Sequence, residues 1–123
     1  MIKLIATDVD GTLVKDGTMT INPEYMTVIR KLTELGITFV VCSGRQYDSE
    51  RKLFEPVKDL AYFVSDGGTV IRKNDKILKV HTLPDEVWKR MHHMVKEKMP
   101  ECYCFIATPE CCYAENENGR MFR

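Results

Sequence analysis

Asp8-Val9-Asp10-Gly11-Thr12-Leu13 follows an apolar run, Leu4-Ile5-Ala6, after Thr7. Together they read as a buried strand over residues 3–8 with a polar exit. Two carboxylates two residues apart at a strand end are costly to hold there unless something uses them. Gly11 lets the backbone turn sharply and approach a ligand closely. Thr12 adds a hydroxyl and a free backbone N–H. These parts suit a magnesium ion and a phosphoryl group. Mg2+ takes hard oxygen ligands and often shares them with a substrate phosphate. One carboxylate can attack phosphorus while the other moves protons. A plain Asp-Gly turn would account for Asp10 and Gly11, but not for Asp8 and Thr12.

The strand-then-loop design recurs downstream. Asn22-Pro23-Glu24 is a helix start: Asn can cap, Pro suits the first turn, and Glu suits the positive end. Tyr25, Ile29, Leu32 and Leu35 then recur at helical spacing, and Gly36 ends the helix as a left-handed cap. Residues 37–42 read as a second buried strand, leaving through Ser43-Gly44-Arg45 into a helix over 46–54 that stops before Pro56. The Ser43 hydroxyl, the Gly44 N–H and the helix N-terminus can all donate to an anion. Alternatively Ser43 is a helix N-cap and Arg45 a solvated surface residue. Residues 61–64 form a third strand, closed by Ser65-Asp66-Gly67-Gly68. This β-α-β-α-β order implies an α/β fold with a parallel sheet and right-handed crossovers. Ligands of such sheets sit beyond the carboxyl ends of the strands. Asp8, Ser43 and Asp66 all fall at such ends.

The two motifs, Asp8 to Leu13 and Ser43-Gly44-Arg45, resemble those of the haloacid dehalogenase-like hydrolase superfamily. The nearest likeness is to the Cof-type, sugar-phosphatase-like subgroup with a large α/β cap. The resemblance implies a Rossmann-like parallel sheet with Asp8 as nucleophile and Asp10 as general acid/base. It implies that Asp8 and Asp10 both contact Mg2+, Asp10 through its backbone carbonyl. Gly11, Thr12, Ser43, Gly44 and Arg45 would surround the phosphate and substrate, with Ser43 holding the transferring phosphoryl group. The implied reaction is hydrolysis of small phosphorylated metabolites through an aspartyl-phosphate. Asp66-Gly67-Gly68 departs from the subgroup's usual Asn-Gly-Ala. Its added charge would repel a phosphate unless turned away or paired with a cation. It serves equally well as a turn residue.

The family also needs a lysine and an acidic G-D-x-x-N-D-type segment. No such stretch lies downstream of residue 81, and Lys79 and Lys89 fall in the wrong places. The resemblance therefore implies that 1–80 is the N-terminal part of a catalytic core and 81–123 the start of a truncated cap. The chain would be the front portion of a longer enzyme and inactive alone. In the family the strand order is 3-2-1-4-5, with the last two strands after the cap. The first strand is then expected to keep a bare apolar edge that recruits another strand, a second copy included. The competing reading is non-catalytic: a phosphate- or Mg2+-binding remnant, or a module that pairs with another chain. A response-regulator receiver also uses strand-end carboxylates, but the D-x-D-G-T spacing and the Ser-Gly-Arg loop argue against it.

Beyond residue 68 the pattern changes. Residues 69–72 and 76–80 flank Asn74-Asp75 as a hairpin. Leu83-Pro84-Asp85-Glu86 opens a helix with an apolar stripe of Val87, Met91, Met94 and Val95, reaching Lys98. Extended segments are expected near 102–107 and 111–115, and residues 120–123 end mid-pattern. Trp88, His92 and His93 read as structural, since adjacent histidines cannot share a helix face. Cys102, Cys104, Cys111 and Cys112 lack the C-x2-C spacing of a metal site, and small-apolar packing is the simpler reading. The 18 basic and 18 acidic residues cancel. That balance gives no reason to expect a nucleic acid or a charged membrane surface as partner. No 18-residue apolar run is present and no basic-then-apolar leader opens the chain, so a cytoplasmic location is expected.

Overall fold

The structure, a computed structural model, describes residues 1–15 and 18–114. The chain divides into two compact units, Met1–His81 and Thr82–Arg123. The first unit runs β1 (Leu4–Asp8), α1 (Glu24–Glu34), β2 (Thr38–Cys42), α2 (Tyr47–Leu53) and β3 (Ala61–Ser65). A hairpin of β4 (Val70–Lys73) and β5 (Lys76–Val80) completes it. The sheet order is β1-β2-β3-β4-β5. β1, β2 and β3 are parallel, and the hairpin adds two antiparallel strands. The α/β class expected from the sequence is present.

Local chemistry explains the boundaries. The Asn22 side-chain oxygen accepts the Glu24 N–H at 3.0 Å and starts α1. At its end Gly36 adopts φ +74°. The Gly36 N–H donates to the Thr33 carbonyl and the Ile37 N–H to the Leu32 carbonyl, each at 2.9 Å. These two bonds form a Schellman motif, which needs a left-handed residue and so favours glycine. Asn74 and Asp75 both take positive φ, the tight hairpin turn whose twist matches its strands. Lys15-Asp16-Gly17-Thr18 reads from its composition as a polar turn, and Asp16 and Gly17 of it lie outside the described residues.

One face of the sheet carries the core. Phe39 and Val41 of β2 stand in register with Ala61 and Phe63 of β3. Met26 and Ile29 of α1 and Tyr47 and Leu53 of α2 join the same cluster. Phe63 is its centre, with ring centroids 5.4 Å from Tyr47 and 6.1 Å from Phe54, both edge-on. Burying an apolar side chain of this kind contributes about 2 kcal/mol. The α1 stripe differs from expectation: Met26 is buried in it, whereas Leu35 lies past the helix end and is exposed.

The expected buried first strand needs correction. β1 pairs with β2 alone among the described residues, and only Ile5 and Thr7 are half-buried. Leu4 is 54% exposed. The register places Leu4, Ala6 and Asp8 opposite Thr38, Val40 and Cys42, away from the core. Both helices pack on the Phe39–Phe63 face. Parallel sheets are normally covered on both faces, so this one exposes an apolar face as well as the β1 edge.

In the second unit, α3 (Asp85–Lys98) precedes an antiparallel pair, β6 (Phe105–Ala107) and β7 (Cys112–Ala114). Asp85 accepts the Trp88 indole N–H at 3.3 Å and pairs with Lys89 at 3.2 Å. No α3 residue is buried, and its Met91 and Met94 are exposed. Cys102 and Cys104 precede β6 rather than share a strand face, and Cys111 lies in the turn before β7. Residue 115 and the expected mid-pattern ending at 120–123 lie outside the described residues. Among the described residues no helix is long and apolar enough to cross a membrane.

Candidate active site

The exit of β1 is shaped by Val9. It is fully buried in the core, so its neighbours Asp8 and Asp10 are left on the exposed side. Its carbonyl accepts the N–H groups of Thr12, Leu13 and Val14 at 3.2, 2.9 and 3.0 Å. The Gly11 N–H, at φ +75°, donates to the Val14 carbonyl at 2.9 Å. The Thr12 N–H expected to be free for an anion is therefore spent inside the loop. What Thr12 offers is its hydroxyl, which donates to Asp8 Oδ2 at 3.3 Å.

The exit of β2 differs from expectation in one respect. α2 starts at Tyr47 with Gln46 as its N-cap, so the Ser43–Arg45 loop runs directly into the helix but Ser43 is not its cap. Ser43 is buried, and its Oγ accepts the Arg45 N–H at 3.0 Å. That bond uses an oxygen lone pair, and the hydroxyl hydrogen stays available for donation. A Cβ built on Gly44 would meet no atom within 4 Å. The space above the loop is open, and glycine is not needed there for internal packing.

Arg45 is not the solvated side chain of the bland alternative. Its Nε donates to Asp10 Oδ2 at 2.8 Å and its Nη2 to Asp10 Oδ1 at 2.5 Å, a two-pronged ion pair. Nη2 also donates to the Thr18 carbonyl at 3.1 Å, and Nη1 lies 2.7 Å from Met19 Sδ. The Arg45 hydrogen bonds hold the Asp10 carboxyl below the usual carboxylate range, against a small opposing effect of burial. Asp10 is thus kept ionised by Arg45, a contact between residues 35 apart in the chain.

The exit of β3 is tied to that of β2. The Asp66 N–H donates to the Arg45 carbonyl at 2.9 Å and the Gly67 N–H to the Ser43 carbonyl at 3.1 Å. Asp66 has φ +52°, a conformation that Asp and Asn adopt more readily than most residues. The turn role expected for it is therefore met. Burial pushes its carboxyl up and Arg72 pulls it down. Asp8 pairs with Cys42, and Cys42 with Val64, so the three exits lie level.

Two buried residues beneath these loops escape a sequence reading. The Ser65 hydroxyl donates to Glu50 Oε2 at 2.5 Å, and both residues are fully buried. The signal was spacing. Glu50 lies three residues from both Tyr47 and Leu53, on the buried stripe of α2. For a metal, the exit of β1 offers only hard oxygens, in Asp8 and Asp10, the donor chemistry that Mg2+ takes. Among the described residues no group of three or more His, Cys, Asp or Glu side chains could hold a metal ion. The Asp8 carboxylate and the Asp10 backbone carbonyl suffice for Mg2+ only where substrate oxygens and water complete the shell.

A family model for haloacid dehalogenase-like hydrolases matches residues 5–122. The chain belongs to the haloacid dehalogenase-like hydrolase family. This haloacid dehalogenase-like chain is 53% identical to a Eubacterium rectale protein of known crystal structure. The two superpose with a TM-score of 0.90 over 98% of this chain and 46% of that one. It is 30% identical to the phosphatase YwpJ of Bacillus subtilis over 97% of this chain and 41% of that protein. It is likewise 30% identical to an Escherichia coli protein, the 5-amino-6-(5-phospho-D-ribitylamino)uracil phosphatase YbjI, over 76% of this chain and 35% of that protein. The chain therefore spans less than half the length of these relatives.

Proposed function

We propose that the chain is the N-terminal portion of a Mg2+-dependent phosphatase of small phosphorylated metabolites, working through an aspartyl-phosphate on Asp8. Residues 1–80 supply part of the catalytic core, and 81–123 begin the cap. The observation that carries this reading is the meeting of Asp8, Ser43 and the Asp66 turn at the level ends of three adjacent parallel strands. The relatives' names, both phosphatases, agree with it.

In this reading Asp8 Oδ attacks phosphorus in line, forming the acyl phosphate as the bond to the leaving oxygen breaks. Ser43 Oγ–H donates to a phosphoryl oxygen, and the open space over Gly44 lets the phosphate approach the backbone. Asp8 and Asp10 would hold Mg2+, which offsets the charge developing on the phosphoryl oxygens when bound. Asp10 gives a proton to the leaving alkoxide, then takes one from the water that clears Asp8. An ionised Asp10 clasped by Arg45 cannot give a proton. The substrate phosphate therefore exchanges places with Asp10 on Arg45, and the freed carboxylate takes up a proton from solvent before it donates one to the leaving oxygen. Arg45 is a substrate-binding residue with a resting partner. Phosphoryl transfer leaves the protein mainly positioning and electrostatic work.

The Asp10–Arg45 pair also favours a second reading for the 123 residues by themselves, a phosphate-binding remnant in which Asp10 stays locked. Chelation tests the first reading on the full-length protein. Hydrolysis of an aryl phosphate should disappear in EDTA and return with added Mg2+. Turnover indifferent to EDTA would remove the metal and the role given to Asp8 and Asp10.

A further inference from the structure

Glu50 is a fully buried carboxyl on α2, the helix that follows the Ser43–Arg45 loop. One oxygen, Oε2, accepts the Ser65 hydroxyl, and the other, Oε1, has no hydrogen-bond partner among the described residues. Ser65 is the last residue of β3, directly before the Asp66 turn. That turn is joined to the Ser43 and Arg45 carbonyls by two backbone hydrogen bonds. The Glu50–Ser65 contact therefore fastens the helix behind one loop to the strand behind the other. A leucine on the α2 stripe could fill the same volume but could not make this tie.

We propose that Glu50 is a positioning residue of the anion pocket, holding the Ser43–Arg45 and Asp66–Gly68 loops together through Ser65 as an uncharged acid. This rests on the phosphatase reading for the identity of the anion. A fully buried carboxylate with an unpaired oxygen is far more costly than the neutral acid. Burial is the main cause that pushes the Glu50 carboxyl up to about 8. The Ser65 hydrogen bond works against the rise. The charged groups facing it are Asp66 on the turn after β3, Arg45 on the loop after β2 and Asp10 on the loop after β1. On β2 lies the Cys42 thiol, pushed up first by burial and then by the negative charge that Glu50 would carry when ionised and by Asp8. Ionised Glu50 would compete with Asp10 and with substrate for Arg45 and would set a negative charge beneath the pocket.

The consequence for stability has a definite sign. Below about 4.5 the carboxyl is protonated in both folded and unfolded chains. Between 4.5 and about 8 the unfolded chain gives up its proton first, so folded stability falls as pH rises, and the loss is complete above about 8. Glu50→Gln keeps an uncharged group of the same shape and an oxygen for Ser65.

The experiment compares wild type, Glu50→Gln and Glu50→Ala by thermal unfolding across that window and by aryl phosphate kinetics of the full-length protein. Wild type should lose stability with rising pH through the window, and Glu50→Gln should lose markedly less. The wild-type KM should rise roughly tenfold through the alkaline limb, the size of a one-unit charge coupling, with a smaller change in kcat. Glu50→Gln should hold the low KM throughout, and Glu50→Ala should show the high KM at every pH. Parallel unfolding profiles for wild type and Glu50→Gln would overturn the proposal. So would a Glu50→Gln KM as high as that of Glu50→Ala. If no variant, wild type included, hydrolyses the substrate, the phosphatase reading fails, and the unfolding profiles still decide the role of Glu50.

Discussion

Replacing Asp8 with asparagine should reduce Mg2+-dependent aryl phosphate hydrolysis by the full-length protein about ten-thousand-fold or more in kcat, the scale of losing a covalent nucleophile. Asparagine matches aspartate in size and keeps an oxygen for the Thr12 hydroxyl that donates to Asp8. Asp8 is exposed and outside the core. Substitutions at such positions usually change stability by about 0.5 kcal/mol or less. The variant should therefore fold and melt like wild type while failing in chemistry. The amide has no charge to attack phosphorus and no charge for Mg2+. Unchanged turnover in Asp8→Asn, with the mass of the variant verified, would move the nucleophile elsewhere.

The 123-residue chain by itself should be a poor catalyst and a sticky one. Its described residues bring Asp8 and Asp10 together without a third carboxylate beside them. The family's lysine and acidic segment have no counterpart after residue 81. Losing preorganised charge stabilisers costs about 10²–10³ in rate each. Turnover should sit about ten-thousand-fold or more below that of the full-length protein. Among the described residues the outer edge of β1 is unpaired, and Met1 and Ile2 before the strand and Leu4 at its start are exposed. A flat apolar edge recruits another strand. Light scattering after size exclusion at micromolar concentration should report more than a monomer. Full activity in the purified chain would show that the site is complete within these residues. A clean monomer whose β1 amides are protected along both edges would contradict the open sheet.

Much of the site is legible in the sequence because short-range chemistry sets it. Asp8-x-Asp10-Gly11-Thr12 and Ser43-Gly44-Arg45 each combine an apolar strand with a turn whose residue types have few other uses, and the parallel order brings their ends level. Asn22 and Gly36 act through neighbours two to five residues away, so the bounds of α1 can be read directly. What could not be read depends on distant partners. The bare edge of β1 was expected, but the Leu4-Ile5-Ala6 run looks the same whether a sheet is covered on one face or on two, so the exposure of its outer face was hidden. The loop that consumes the Thr12 N–H closes on Val9, a residue whose burial only packing decides. The clasp of Arg45 on Asp10 spans 35 positions. Glu50 reads as a surface charge until the Tyr47 and Leu53 stripe on either side of it is known to face the sheet.

The central claim is that phosphate passes through Asp8. The direct measurement is a borohydride quench of the full-length protein during steady-state turnover with Mg2+. Peptide mass spectrometry across residues 4–15 then reads the result. Borohydride reduces an acyl phosphate to an alcohol and leaves free carboxylates intact. The prediction is conversion of Asp8 to homoserine, dependent on both substrate and Mg2+, with Asp10 unchanged. An unmodified Asp8 under conditions of confirmed turnover, or reduction at Asp10 instead, would contradict it.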